Sequence, residues 1–558
     1  MIPFHIVLRP HDPHLPIIDR IAQGRNIDPD NFRESLSLRK TRGDPLLLND
    51  IQKGVDRIIQ AYTTNERITI FADYDVDGVS SATLLSLLFS EIIPYPHVHV
   101  MFPDRLEDGY GIKTKHLDQI KTGGSTVVIT VDNGITSLIE ADHARSLGID
   151  LIITDHHEPL SRLPNAYAVI NPRCSTTYPH RDICGCAVVY KLACVLIDQL
   201  VPANERSRRK TYLLPLVTLA TVADIVPLHG ENRALVAQGL SLMRQSEHLP
   251  PGLKAFLDFL GIRKTVDTYH LGFMIGPRIN AGGRIASPYD SLNALINRDN
   301  KAHHFLHTLD VLNTERKAMQ QKAYDLARTM VDPTRDMVMV FHESFHEGIV
   351  GIVAGKLCEQ WYKLTMVGKI DTHKGLMTAS LRSPDYANCI EFLDFVSDLT
   401  VKSGGHHHAG GLSVSLDNLD AFLERCKTYE HKYLHNRPRS KPLIVDTHLH
   451  PDERDQTLLA TLDQFAPYGE ANPQPILLLT GKIVSYREYQ RDEKIMRFFS
   501  ILTDTVRIPV VVRRCERWDW QEGETISIVG TIGKNREGLI QYIASAIFSS
   551  DGKQCMCE

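Results

Sequence analysis

Apolar residues in the first third of the chain fall in short unbroken runs, and each run stops at acidic residues or histidines. Residues 67–72 (Arg-Ile-Thr-Ile-Phe-Ala) lead into Asp73-Tyr-Asp-Val-Asp-Gly78, residues 126–131 into Asp132-Asn-Gly134, and residues 151–154 into Asp155-His-His157. Runs of this length, rich in β-branched residues and separated by helix-length segments, predict parallel strands of an α/β sheet. Ligands and catalytic groups collect at the carboxyl ends of such strands. Five aspartates and two histidines therefore meet at one sheet edge, and that much negative charge needs cations to hold it.

The pattern divides the rest of the chain. Residues 1–45 form a polar, mostly helical lead-in, and 46–302 the first α/β domain. Within that domain, helices are expected at 79–90 and 138–147, a buried strand at 166–170, and mainly helix from 200 to 300. A long helix begins near residue 303, ends at Asp332-Pro333, and makes 303–332 a connecting helix. A second, smaller α/β domain occupies 333–434, starting with a strand at 337–341. Residues 435–442 are basic, carry prolines and read as a linker. From 443 to 548 short strands recur at 476–479, 498–502, 508–512, 526–532 and 539–543, which suits a small barrel of the oligonucleotide-binding type. Residues 549–558 are left as a tail. The fold class is thus α/β: a parallel-sheet catalytic domain, a connecting helix, an accessory α/β domain and a C-terminal β-barrel.

Composition narrows the function classes. At 558 residues the chain exceeds a single core. With 43% apolar and 23% charged residues, disorder is not the expectation. The net charge of −5 gives no global sign of a polyanion partner, although local basic patches still bind one. The first residues are too soon interrupted for a signal peptide. The most apolar stretch, 212–228, contains Asp224 and two prolines, so no membrane span and a cytoplasmic location are expected. Ten cysteines should remain thiols there. Neither Cys184-Gly-Cys186 nor Cys555-Met-Cys557 has a partner pair at zinc-site spacing, so both read as packing or tail thiols.

A single aspartate after a strand is usually a turn former or helix cap. Asp73, Asp75 and Asp77 differ, because alternate spacing places them on one side of an extended segment, where repulsion is costly without cations. Gly78 then permits a tight turn into the next helix, whose N-terminal dipole favours an anion. Mixed carboxylate and imidazole ligands suit Mn²⁺ or Fe²⁺, then Mg²⁺, with zinc disfavoured without thiolates. There are enough ligands for two divalent ions, which at about 3.5–4 Å apart would clamp a phosphodiester and activate a water. The residues by themselves give a two-metal phosphoesterase. In the barrel, Tyr486, Arg487, Tyr489, Arg491, Arg497, Phe498 and Phe499 mix aromatics with arginines, as base stacking with backbone neutralisation requires. Strand alternation commits about half of them to the core.

The ordered blocks add a resemblance. They are Ala72–Gly78 (ADYDVDG), Arg105-Leu-Glu-Asp-Gly-Tyr-Gly111, TVDNGI at 130–135, TDHH at 154–157 and ATVADIVPL at 220–228. Gly276-Pro-Arg-Ile-Asn-Ala-Gly-Gly-Arg284, HEGIVGIVAGKL at 346–357, Ser403-Gly-Gly-His-His-His-Ala-Gly-Gly411 and FAPYGEANP at 465–473 complete them. The set resembles the DHH phosphoesterase superfamily and, within it, the RecJ family of single-strand-specific 5′→3′ exonucleases, over nearly the whole chain.

The resemblance implies that Asp73, Asp75, Asp77, Asp132, His156 and Asp224 hold the metals, with Asp132 bridging and Asp77 and Asp132 part of the catalytic set. His157 would contact the scissile phosphate, and Asp155 would orient an imidazole. Arg105 and Arg278 are implied phosphate clamps, with Asn280 and Arg284 beside the substrate. Ser380 and Arg382 would take the 5′-terminal phosphate, and Gly405 and His406 would approach the nucleotide. Leu381 stands where the family has glycine, a change expected either to narrow that pocket or to shift the backbone beside it; Gly282 and Gly410 replace alanines.

The implied activity releases 5′-mononucleotides from single-stranded DNA in recombination and repair. The implied partners are a DNA helicase and a single-strand-binding protein, and the chain would act as a monomer. Two alternatives stand beside it: a DHH-type oligoribonuclease or small phosphodiesterase, which would lack the barrel, and a non-catalytic single-strand-binding scaffold of a helicase complex, which would lack ligands.

Overall fold

The structure, a computed structural model, describes residues 4–28, 41–104, 108–245, 249–262, 264–435, 437, 440–450, 453, 457–491, 494–503, 506–513, 518–534, 540–549 and 553–557. It resolves into two compact units, one of Glu34–Ala318 with Pro467–Pro473, the other of Met1–Arg33, Met319–Ala466 and Gln474–Glu558. Within the lead-in, expected to be mostly helical, a strand, β1 (Phe4–Leu8), precedes the helix Ile17–Gly24; residues 29–40 lie outside the described residues, and Met1–Arg33 belongs with the second unit.

The first unit is built on β2 (Arg67–Ala72), β3 (Val98–Met101), β4 (Ser125–Val131), β5 (Asp150–Thr154) and β6 (Ala168–Ile170). They form an all-parallel sheet in the order β3-β2-β4-β5-β6. Both faces are covered, which is why the strands read as unbroken apolar runs. On β4, Val127, Ile129 and Val131 enter one core and Val128 the other. The larger core is closed by the helices Val76–Leu87, Gly185–Leu200 and Ala203–Ala223.

Within this core, Lys191 and Glu231 form a fully buried ion pair. Glu231 also accepts the Tyr178 hydroxyl and the Gly43 N–H. The pair pins the helix Gly185–Leu200, whose first turn reaches the candidate site. The segment 467–473, expected in the barrel domain, packs here instead, with the Leu228 N–H donating to Glu470 O (2.8 Å).

The connecting helix runs Asp299–Met330, four residues earlier than expected. Leu306 and Leu309 on its first half are buried in the first unit's core, and Ala323 and Ala327 on its second half are buried in the second unit.

The second unit carries a mixed sheet of β7 (Met337–His342), β8 (Leu364–Asp371), β9 (Leu376–Arg382), β10 (Lys402–Gly405) and β11 (Ala409–Ser415), in the order β10-β11-β9-β8-β7. Beyond it, β12 (Lys441–Val445) pairs in parallel with β1, and Arg25 holds Asp446 (2.8 Å). After β13 (Thr447–His448) come β14 (Leu477–Arg491), β15 (Lys494–Thr503), β16 (Val506–Arg513), β17 (Thr525–Lys534) and β18 (Ile540–Phe548). These last five close a barrel, because β14 pairs with both β15 and β17.

Strand β14 is far longer than the expected 476–479, since its second half is charged. The tail is not free either: β19 (Gln554–Met556) pairs with β18. Cys555 is disulfide-bonded, against the expectation of ten thiols. No helix among the described residues is long and apolar enough to cross a membrane.

Lys191→Met should lower unfolding stability by about 3–5 kcal/mol in urea titration, because it strands Glu231 as a buried charge. Adding Glu231→Gln to that variant should recover part of the loss.

Candidate metal centre

The Asp73–Asp77 loop leaves β2 and turns at once into the helix Val76–Leu87. Asp75 caps it, accepting from the N–H groups of Asp77 (2.9 Å) and Gly78 (3.1 Å). Gly78 is required by contact: a Cβ there would sit 2.2 Å from Asp73 O. Asp77 is fully buried and accepts from the N–H groups of Gly185 (2.6 Å) and Cys186 (2.7 Å) at the start of the helix Gly185–Leu200, where free amides and the dipole favour an anion. At the end of β4, Asp132 adopts φ +61°, an uncommon conformation for a non-glycine residue and one often found at functional sites.

At the end of β5, Asp155 accepts from Ile135 N–H, His156 N–H and His157 N–H, and from His157 Nδ1 (2.8 Å). It therefore fixes the tautomer and tilt of His157. Two residues outside the motifs hold this loop's backbone. Arg173 Nε donates to His156 O (3.0 Å) and Asn171 Nδ2 to His157 O (3.0 Å). Asp224 is not inside an apolar helix but at the end of one, as the C-cap of Ala203–Ala223, and the next residue, Ile225, is left-handed at φ +59°.

These elements bring the charges together. His156 Nε2 lies 3.2 Å from Asp132 Oδ1, 3.6 Å from Asp224 Oδ2 and 3.7 Å from Asp77 Oδ2. Asp77, His156 and Asp224 form one group with ligand atoms within 4.8 Å of each other, and Asp73, Asp75 and Asp132 form another. Asp132 Oδ1 and His156 Nε2 are buried without a hydrogen-bond partner. Burial, reinforced by Asp75, pushes the Asp77 carboxyl up to about 7. Burial and the neighbouring carboxylates drive Asp132 and Asp224 well above the usual carboxylate range. Burial also pushes His156 down to about 3.

Protein groups alone thus disfavour the ionised cluster, and cations invert that balance. Orphaned donor atoms, hard oxygens and one imidazole fit divalent ions of the Mn²⁺ or Mg²⁺ kind.

The other expected site residues are more dispersed. Arg105 lies outside the described residues. Arg278 is engaged by Asp310 (2.7 Å) and Met274 O (2.8 Å). Asn280 accepts from Val76 N–H (3.1 Å), so it braces the aspartate loop. Arg284 sits in the last turn of the helix Gly276–Ile285.

In the second unit, Ser380 and Arg382 share one face of β9. A Cβ at Gly351, in the helix Glu347–Trp361, would be 3.4 Å from Ser380 Oγ and 3.2 Å from Arg382 Nη2. Leu381 faces the opposite way into the core, so it does not narrow that pocket. Gly405 ends β10, paired with Gly410, and leads into the turn at His406, whose N–H donates to Ala409 O (2.7 Å). On the barrel, Arg487 and Phe498 are cross-strand neighbours on an outer face, with Phe498 41% and Tyr489 57% exposed. Phe499 and Arg497 are buried, Arg497 on Glu488 (3.0 Å), and the Arg491 side chain is outside the described residues.

Two site residues were missed in the sequence. The Tyr110 hydroxyl donates to Asp132 O (2.9 Å) and lies 3.1 Å from His157 Nδ1; its place in the Gly109-Tyr110-Gly111 block was the available signal. Gly185 was read as packing, yet a Cβ there would lie 2.9 Å from Asp132 Oδ1 and 3.0 Å from Asp77 Oδ2, filling the ligand space. No local spacing links it to a residue 108 positions away.

Gly185→Ala should weaken Mn²⁺ binding at least about tenfold in calorimetric titration while leaving the fold intact. Asp132→Asn should raise the metal-free melting temperature, by removing a buried charge, and abolish the upward shift that Mn²⁺ gives the wild type.

Residues 67–221 match the family model described as DHH family, N-terminal domain, and 445–537 that of the RecJ OB domain. The single-stranded-DNA-specific exonuclease RecJ of Escherichia coli is 32% identical over 466 residues, covering 79% of this chain and 80% of that protein. The Bacillus subtilis RecJ exonuclease is also 32% identical, over 447 residues and 79% of this chain, but the chain spans only 55% of its length. Among solved structures, Mn²⁺-bound RecJ from Thermus thermophilus superposes with TM-score 0.82 at 23% identity, over 96% of this chain and 76% of that one. A manganese-bound exonuclease RecJ gives TM-score 0.60 at 26% identity, over 70% of this chain and 96% of the other. With the carboxylate–histidine centre, the accessory sheet and the closed barrel in the same order along one chain, this protein belongs to the RecJ single-stranded-DNA-specific exonuclease family.

Proposed function

We propose that this protein is a divalent-metal-dependent exonuclease that degrades single-stranded DNA from the 5′ end and releases 5′-mononucleotides. The observation that carries it is the pair of adjoining ligand groups, Asp77–His156–Asp224 and Asp73–Asp75–Asp132, with Asp132 Oδ1 and His156 Nε2 buried 3.2 Å apart between them and without a hydrogen bond. Two ions held there would supply Lewis acidity, activating the attacking water and neutralising charge on the scissile phosphate.

The chain's own residues do the rest. Asp155 and Tyr110 hold His157 by Nδ1, leaving Nε2 as the atom to meet a phosphate oxygen. The helix Gly185–Leu200 keeps Asp77 in place through two N–H donors, so the ligand set is preorganised. Burial of Asp77 and Asp132, and of the His156 Nε2 atom, excludes bulk water and strengthens each electrostatic contact.

Ser380 and Arg382 are proposed to bind the 5′-terminal phosphate. Among the described residues no carboxylate pairs with Arg382, and burial pushes its guanidinium below its ordinary value. A guanidinium placed that way, at the side of a helix's first turns, suits a bidentate anion. The outer face of β14–β15, with Arg487, Tyr489 and Phe498, suits single-strand backbone and bases. An activity restricted to single strands calls for a helicase to open duplex ends and works beside a single-strand-binding protein. Its setting would be recombination and repair in the cytoplasm.

The test is Mn²⁺-dependent digestion of single-stranded DNA labelled at either end, with a blunt duplex as control. Wild type should release 5′-labelled mononucleotide from the first turnover and spare the duplex, and His157→Ala should be slowed about 10²–10³-fold. First release of the 3′ label, cleavage of very short oligomers only, or tight binding without cleavage would each overturn the proposal. Separately, Arg382→Ala should raise KM about tenfold for 5′-phosphorylated strands and little for 5′-hydroxyl strands, because it removes one charge-assisted contact.

A further inference from the structure

Two aromatic side chains stand in solvent on a helical segment that packs against the elements carrying the carboxylate cluster. Tyr269 is 60% and Phe273 70% exposed, and their rings stack with centroids 5.2 Å apart and planes inclined by 25°. Tyr269 precedes, and Phe273 lies within, the π-helical segment His270–Ile275, whose inner residues Leu271 and Ile275 are fully buried. π-helical turns recur at functional sites.

This segment touches both arms of the cluster. A Cβ at Gly272 would lie 3.6 Å from Val222 Cγ1, and one at Gly276 would lie 3.5 Å from Ala223 Cβ and 3.8 Å from Val76 Cγ2. Ala223 precedes Asp224, and Val76 stands between Asp75 and Asp77. Next to Asp224, Ile225 is 67% exposed and held left-handed, which for a β-branched residue stores strain. Three exposed apolar side chains therefore form a rim on the elements that carry the cluster.

The nearest charges on the rim are already matched. Asp267 pairs with His270 (2.5 Å), and Arg278 pairs with Asp310 (2.7 Å). A rim with π faces and paired charges has little to offer a phosphate and much to offer a nucleobase.

We propose, given the nuclease activity proposed above, that the Tyr269–Phe273 pair is a stacking platform for nucleobases of the strand entering the centre, with Ile225 as a wedge between successive bases. Bases inside a duplex have both faces covered by their neighbours. The platform therefore serves unstacked strands and adds to single-strand selectivity independently of any channel width.

The experiment compares Tyr269→Ala, Phe273→Ala and Phe273→Trp with wild type, with Mn²⁺, on a 5′-phosphorylated oligothymidylate and on the same strand made abasic over its first several positions. The alanine variants should raise KM on the thymidine strand by about fivefold to a hundredfold, with kcat nearly unchanged and tryptophan restoring KM. On the abasic strand wild type and variants should have the same KM. In EDTA, a 2-aminopurine near the 5′ end should be quenched by wild type and not by the alanine variants.

Equal losses on both strands would overturn base stacking and assign the pair to the strand's backbone path or to folding. Unchanged KM on both would overturn it and leave the pair as a surface for a protein partner. Wild-type quenching without any cleavage would sink the nuclease reading while sustaining the platform.

Discussion

Mutual repulsion among buried carboxylates is the constraint on which the first unit is built. Asp73, Asp77 and Asp132 are buried, and burial together with their shared negative charge opposes ionisation of Asp77 and Asp132. The protein compensates Asp77 with the two N–H donors that open the helix Gly185–Leu200, and Asp155 with three backbone N–H groups and an imidazole. It leaves Asp132 Oδ1 and His156 Nε2 without partners. Compensation is thus fullest at Asp155, partial at Asp77, whose carboxyl still stands near 7, and missing at the Asp132 and His156 atoms that face the other ligands.

The surrounding architecture follows from holding those charges still. The sheet delivers three strand ends side by side, the helix Ala203–Ala223 delivers Asp224 from the far side of the sequence, and the buried Lys191–Glu231 pair fixes the helix that supports Asp77. Backbone strain gathers at the same place, at Asp132 and Ile225, where the fold over-determines conformations an isolated chain would avoid. In the second unit Arg382 is half-buried beside the helix Glu347–Trp361, and among the described residues no carboxylate pairs with it.

Much of this was legible along the chain. Unbroken apolar runs ending in Asp73, Asp132 and Asp155 marked both the parallel strands and the edge where chemistry collects, because a strand buried on both faces has no polar positions until it ends. The five barrel strands were legible as alternating runs. The second half of β14 was not, since Arg487, Glu488 and Tyr489 face water and carry no apolar signal. Strand β1 was hidden for a related reason: its partner β12 lies more than four hundred residues away, and a lone short strand looks like polar lead-in.

The sequence by itself determined the fold class and the kind of ion that its carboxylates and imidazoles suit, because hydrophobic periodicity and the chemistry of a side chain are local properties. Only the tertiary structure decided which of those residues meet and what the others are for. It placed Asp224 opposite His156 and made Gly185 a spacer for the ligand space. It also spent Asn280 on bracing the aspartate loop and turned Leu381 into the core, away from Arg382. Those outcomes depend on distances between segments far apart in the chain and on which face of an element each side chain occupies, and neither is encoded in local spacing.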